Sequence, residues 1–134
     1  GCPIVWGSKL QTEIALSTTE AEYLALSTAL RQAIPLMEIV KEARDLGFKV
    51  PDAPPLVHCK VFEDNSGALE MAKNHKFRPR TKHINCKWHH FRQYVERGDI
   101  SIHPIVSASQ PADIMTKSVG YDTLKVHRQF IMGW

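Results

Sequence analysis

The sequence is poor in the features that would make it a secreted, membrane-spanning or disordered chain. It has three cysteines in 134 residues, Cys2, Cys59 and Cys86, an odd and sparse count that excludes a disulfide framework. No apolar run approaches the ~20 residues of a membrane span, and the first residues lack a basic-then-apolar signal layout. There is no internal repeat, low-complexity tract or linker, and no initiator Met. The chain opens Gly1-Cys2-Pro3 and is apolar from there, which reads as an entry within a strand and a piece of a longer sequence. What is present is globular: 43% hydrophobic and 23% charged residues, enough for one soluble, intracellular domain without a metal or disulfide staple.

The net charge is only +3, but it is unevenly placed. From Lys73 to Arg97 there are eight basic residues against the single acid Glu96, while the remainder holds nine basic and thirteen acidic residues. Phe77, Trp88, Phe91 and Tyr94 are interleaved with these cations, a composition suited to a polyanion backbone or to a solvated basic face. Trp88, Phe91 and Val95 stand at helical spacing and read as core rather than as base-stacking platforms.

Residues 3–9 and 12–16 have the composition of strands. Ser17-x-x-Glu20 and Thr19-x-x-Glu22 both fit capping boxes for a helix that Pro35 should interrupt. A second helix is expected over 36–46, with Leu36, Ile39, Val40 and Ala43 on one face and a stop at Gly47. Pro51, Pro54 and Pro55 mark a loop. A strand is expected over 56–62, a short helix capped by the 64–66 cluster, and a basic loop at 75–82. A helix over 84–97, a strand from Ile100, a helix opened by Pro111 and a last helix at 122–132, anchored by Phe130 and Trp134, complete a single α/β domain.

Three acids occupy useful places. Glu22 lies in the first turns of a helix, Asp64 follows a strand, and Asp113 lies in the turn that Pro111 opens. Carboxylates gathered at strand ends and helix starts suit Mg²⁺, and a pair of such ions suits phosphodiester hydrolysis. Each acid also has an ordinary explanation as a cap or a dipole partner, and spacing alone does not bring them together.

Five motifs carry more. Leu16-Ser-Thr-Thr-Glu-Ala-Glu-Tyr23, Glu63-Asp-Asn-Ser-Gly-Ala68, Arg80-Thr-Lys-His-Ile84, His89-His-Phe-Arg92 and Gln110-Pro-Ala-Asp-Ile-Met-Thr-Lys117 resemble the ribonuclease H region of copia-type retrotransposon polyproteins, from about residue 3 to the end. The resemblance implies a ribonuclease H-like mixed sheet with flanking helices, one domain over 1–134 with a helical extension at 118–134. It implies cleavage of the RNA strand of an RNA–DNA hybrid, with the upstream reverse transcriptase of the same polyprotein as partner. The setting would be cytoplasmic, in a virus-like particle or reverse-transcription complex, with no membrane.

By the same resemblance, Glu22, Asp64 and Asp113 are catalytic and metal-binding, Glu20 being the competitor at the helix position. Asp64 would bridge two Mg²⁺ or Mn²⁺ ions, Glu22 would bind one while orienting the RNA, and Asp113 would hold the ion that activates water. Lys76, Arg78, Arg80, Lys82 and His83 would contact the nucleic acid. Two departures stand out. The family's first carboxylate lies on a strand with no counterpart here, so the first two strands are expected to be missing and the isolated chain to be inactive or nearly so. The histidine that cellular enzymes carry before the last acid also has no counterpart in residues 106–112, and His103 does not replace it. A non-catalytic nucleic-acid-binding relic is the alternative. A zinc site from Cys59, His83, Cys86 and His89 is the weaker one, and no zinc is expected.

Overall fold

A computed structural model describes residues 3–49, 57–74 and 86–134. The described residues divide into two compact units, one formed by the N-terminal residues through Glu13 with Ile105–Trp134, the other by Ile14–Pro104.

The larger unit is built on α1, Thr18–Asp45, a helix of 28 residues. Ser17 begins it as the sequence implies: the Glu20 N–H donates to Ser17 Oγ at 3.1 Å, and Glu20 Oε2 reaches back to accept from the Leu16 N–H at 2.9 Å. This is a capping box displaced by one residue. The break expected at Pro35 does not occur, and the two expected helices are one. Pro35 removes one N–H donor, but Ile34 and Met37 on either side are buried in the core and hold the helix together across it. The helix stops at Gly47, whose φ of 89° is the left-handed conformation that glycine adopts without strain. The Gly47 N–H reaches Arg44 O and the Phe48 N–H reaches Ala43 O, a Schellman closure.

Tyr23, Ser27, Leu30, Ile34 and Met37, at alternating four- and three-residue steps, form the buried line of α1. Of the face expected to carry Leu36, Ile39, Val40 and Ala43, the first three are exposed and Ala43 is half-buried. Beyond α1 come β1 (Cys59–Glu63), α2 (Ser66–Lys73), a 3₁₀ turn (Cys86–His89), α3 (Arg92–Glu96) and β2 (Ile100–Pro104). The helix expected over 84–97 is thus, where described, a 3₁₀ turn and a short α-helix.

β1 and β2 pair in parallel, Cys59 opposite Ile100 and Glu63 opposite Pro104. Ile100 and Ile102 turn inward to meet α1, Ala68 and Ala72 of α2, Trp88 and Phe91, which together form the core. Trp88 and Phe91 are core, as their spacing implies. Among the described residues the sheet has two strands.

The strands expected at 3–9 and 12–16 are absent. Those residues are irregular, and Trp6, Leu10 and Ile14 are exposed. A strand exists through its ladder partners, and among the described residues the one ladder is that of β1 with β2.

In the smaller unit, 3₁₀ turns at Ser107–Ser109 and Pro111–Met115 precede α4, Tyr121–Met132. The Pro111 segment is therefore tighter than the α-helix expected. Pro111 does stand in its first turn, where a missing N–H costs nothing. Phe130 and Trp134, expected as anchors of α4, are exposed, and His127 is its buried residue. Among the described residues no helix is long and apolar enough to cross a membrane.

Candidate metal centre

The N-termini of α1 and α2 lie against each other. Asn65, between β1 and α2, caps α2 by accepting from the Ala68 N–H through Oδ1 at 3.0 Å, and the same oxygen accepts from the Thr19 hydroxyl of α1 at 3.4 Å. Gly67 lets this approach happen, since a Cβ there would fall 2.8 Å from both Thr19 Cγ2 and Thr19 Oγ1. The junction sets Glu22, one turn into α1, beside the end of β1.

Carboxylate oxygens of Glu22, Glu63 and Asp64 all lie within 4.8 Å of one another. Glu22 and Asp64 are half-buried, and Glu63 is only 7% exposed. Neighbouring ligands on an octahedral Mg²⁺ stand about 3 Å apart and opposed ones about 4.2 Å, so the three oxygens would draw together to share one ion. The donor set is all oxygen, which suits Mg²⁺ or Mn²⁺ rather than zinc.

Burial pushes the Glu63 carboxyl above the ordinary carboxylate range. The Asn65 N–H, donating to Glu63 Oε1 at 2.9 Å, works against that rise, and the charges of Glu22 and Asp64 add to it. A cation among the three would relieve that repulsion.

Glu20 and Glu22, competitors in the sequence, now separate. Glu20 is buried and committed to the cap of α1, whereas Glu22 faces the cluster. Asp64 lies in the cluster, and its neighbour Asn65, not Asp64 itself, caps α2. Glu63 is the member that the sequence reading missed. The signal was available: in a strand with Cys59 and Val61 turned inward, residue 63 has the same parity. Ending the strand at 62 hid it.

Asp113 belongs to the smaller unit, in the Pro111–Met115 turn, where Lys117 Nζ pairs with its Oδ1 at 2.9 Å. The expected nucleic-acid contacts Lys76, Arg78, Arg80, Lys82 and His83 lie outside the described residues. Among the basic residues that are described, Arg92 is turned inward, donating to Met71 O at 2.9 Å. Of the weighed zinc ligands, Cys59 lies on the core face with its thiol pushed up by burial, and His89 Nδ1 is 2.6 Å from the Tyr23 hydroxyl.

No protein-family model matches the chain, and no solved structure matches it. Curated sequences do. The retrovirus-related Pol polyprotein from transposon TNT 1-94 of Nicotiana tabacum is 33% identical over 131 residues, 98% of this chain and 9% of that protein. The retrovirus-related Pol polyproteins from transposons RE2 and RE1 of Arabidopsis thaliana are 33% and 32% identical over 115 residues, each covering 86% of this chain and 7% of the relative. The chain thus spans less than a tenth of the length of the curated relatives it matches. By sequence it is homologous to a short region of the Pol polyproteins of copia-type retrotransposons.

Proposed function

We propose that the chain is part of a ribonuclease H domain that cleaves the RNA strand of RNA–DNA hybrids during reverse transcription. The observation that carries this reading is the convergence of Glu22 and Asp64, two of the three acids singled out in the sequence, with Glu63 in one cluster. Asp113 is the third acid of the set, and the fourth carboxylate would come from outside these 134 residues.

Glu22 and Asp64 would hold the divalent ions, with Glu63 beneath them holding the β1–α2 turn through Asn65. The ions, when bound, supply an activated water and stabilise the leaving oxygen. The RNA 2′-hydroxyl would distinguish the strand to be cut, and Arg80, Lys82 and His83, with Lys76 and Arg78, would contact phosphates.

Mn²⁺ binding followed by paramagnetic resonance should weaken at least tenfold in Asp64→Asn and Glu22→Gln. In a hybrid-cleavage assay with Mg²⁺ or Mn²⁺, the isolated chain should show little or no turnover. The same chain joined to the preceding polyprotein segment should cut, and Asp64→Asn should abolish it. Robust turnover by the isolated chain, lost in Asp64→Asn, would overturn the need for a fourth carboxylate. Salt-sensitive hybrid binding indifferent to both Mg²⁺ and Asp64→Asn, without cleavage in either form, would replace catalysis by simple binding.

A further inference from the structure

The strand pair has a second face, turned away from the core. Strand alternation places Lys60 and Phe62 of β1 there, opposite Ser101 and His103 of β2 in the register. His58, two residues before Lys60, shares their parity. On this face three side chains form one hydrogen-bonded row with a determinable direction. His58 Nδ1 lies 2.9 Å from Gly98 O. A carbonyl only accepts, so Nδ1 carries the proton and, in the neutral ring, Nε2 carries the lone pair. His58 Nε2 lies 2.6 Å from Ser101 Oγ, whose hydroxyl therefore donates to it. Ser101 Oγ lies 2.8 Å from His103 Nε2, and with its proton already directed at His58 it accepts there.

Two consequences follow. His58 presents an oriented lone pair backed by a carbonyl on its other nitrogen, which is how metal-ligating imidazoles are held. A second imidazole nitrogen is gathered around the same small hydroxyl from the neighbouring strand.

We propose that His58 and His103 form a two-imidazole site for a late first-row divalent cation, with zinc as the reference ion and Ser101 Oγ or water completing the coordination. Binding moves the His103 proton from Nε2 to Nδ1, so that both Nε2 atoms face the ion. Imidazole nitrogen prefers Zn²⁺ and Cu²⁺ over hard cations, so Mg²⁺ does not compete. The residues differ from the cysteine-containing set weighed in the sequence, for which no zinc was expected. The site is also independent of the carboxylate cluster and of the ribonuclease reading. Because the ion joins the entrance of β1 to β2, it favours the folded chain by mass action.

The test is a Zn²⁺ titration of the full 134-residue chain in excess Mg²⁺, followed by nitrogen-15 resonances of the histidine rings, which report each ring separately from the other histidines and cysteines. The Nε2 signals of His58 and His103 should shift together, and His58→Gln or His103→Gln should weaken that binding at least tenfold. Ser101→Ala should retain it within a few-fold, since it removes the hydroxyl but neither ligand. Unmoved His58 and His103 signals at millimolar Zn²⁺ overturn the proposal, as does unchanged affinity in both histidine variants. Should a variant fail to fold, the titration of the parent chain decides alone.

Discussion

Gly67→Ala is the most direct test of how the carboxylates are brought together. The added methyl would sit 2.8 Å from both Thr19 Cγ2 and Thr19 Oγ1, and 3.2 Å from Asn65 Oδ1. Non-bonded carbon atoms rest about 3.5–4.0 Å apart, so the overlap with Cγ2 is about 0.7 Å or more. Thr19 cannot rotate out of it. The methyl straddles two of the three staggered positions on its Cβ, and every rotamer leaves at least one of them filled. Relief therefore requires α1 and α2 to separate, at an overpacking cost of about 1–3 kcal/mol. Helix propensity returns at most ~1 kcal/mol, which leaves a net loss of up to about 2 kcal/mol. For a cooperative unit of this size that is roughly 4–8 °C in Tm per kcal/mol.

Thermal melts of Gly67→Ala, Thr19→Ala and the double variant close the cycle. Thr19→Ala removes both obstructing atoms, so the double variant should recover most of the loss, with a coupling of about 1–2 kcal/mol. Mn²⁺ affinity should fall in Gly67→Ala and return with it, because Glu22 and Asp64 stand on opposite sides of the junction. A Gly67→Ala midpoint at or above that of the parent, or a double variant no better than the single one, would refute the argument.

Two further outcomes are expected. Pro35 is exposed and lies inside α1, so Pro35→Ala restores a backbone hydrogen bond without losing packing. The midpoint should rise by the equivalent of about 1–3 kcal/mol, and a lowered midpoint in denaturation monitored by circular dichroism would count against a continuous helix. Glu63 has a folded-state pKa above its unfolded value of about 4.3. Its ionisation penalty is thus absent below that value and grows as pH rises through the raised one. Glu63→Gln keeps the acceptor for the Asn65 N–H and escapes the penalty. Urea melts in chelator should therefore show the variant gaining on the parent between pH 4 and pH 8, and a constant or reversed gap would show that Glu63 is not desolvated.

Much of the larger unit was legible because its signals are local. Ser17 and Glu20 announce the start of α1 through a cap that needs nothing distant, and Gly47 announces its end. The inward parity of β1 and the core roles of Trp88 and Phe91 follow from short-range spacing. Errors arose where tertiary contacts decide. Pro35 ends an isolated helix, but with Ile34 and Met37 buried around it the cost of one missing donor is outweighed. Residues 3–16 have the composition of strands, yet a strand needs a partner that composition does not specify. The same limit governs the site. The sequence motifs identify Glu22 and Asp64 without showing that they meet. The meeting depends on Gly67 and Thr19, whose approach spans two helices and leaves no periodic trace. Glu63 was lost to a strand boundary set one residue early.

The pairing of β1 with β2 also has a consequence for synthesis. Parallel strands cannot be joined by a tight turn, and here α2, the Cys86–His89 turn and α3 all lie between the two. As the chain emerges from a ribosome, α1 can coil at once, but its buried line must wait for Ile100 and Ile102 before the core can close. Until Pro104 has been made, Leu30, Ile34 and Met37 remain open to other chains. Nascent chains arrested before β2 should therefore be the most prone to aggregate and to recruit chaperones.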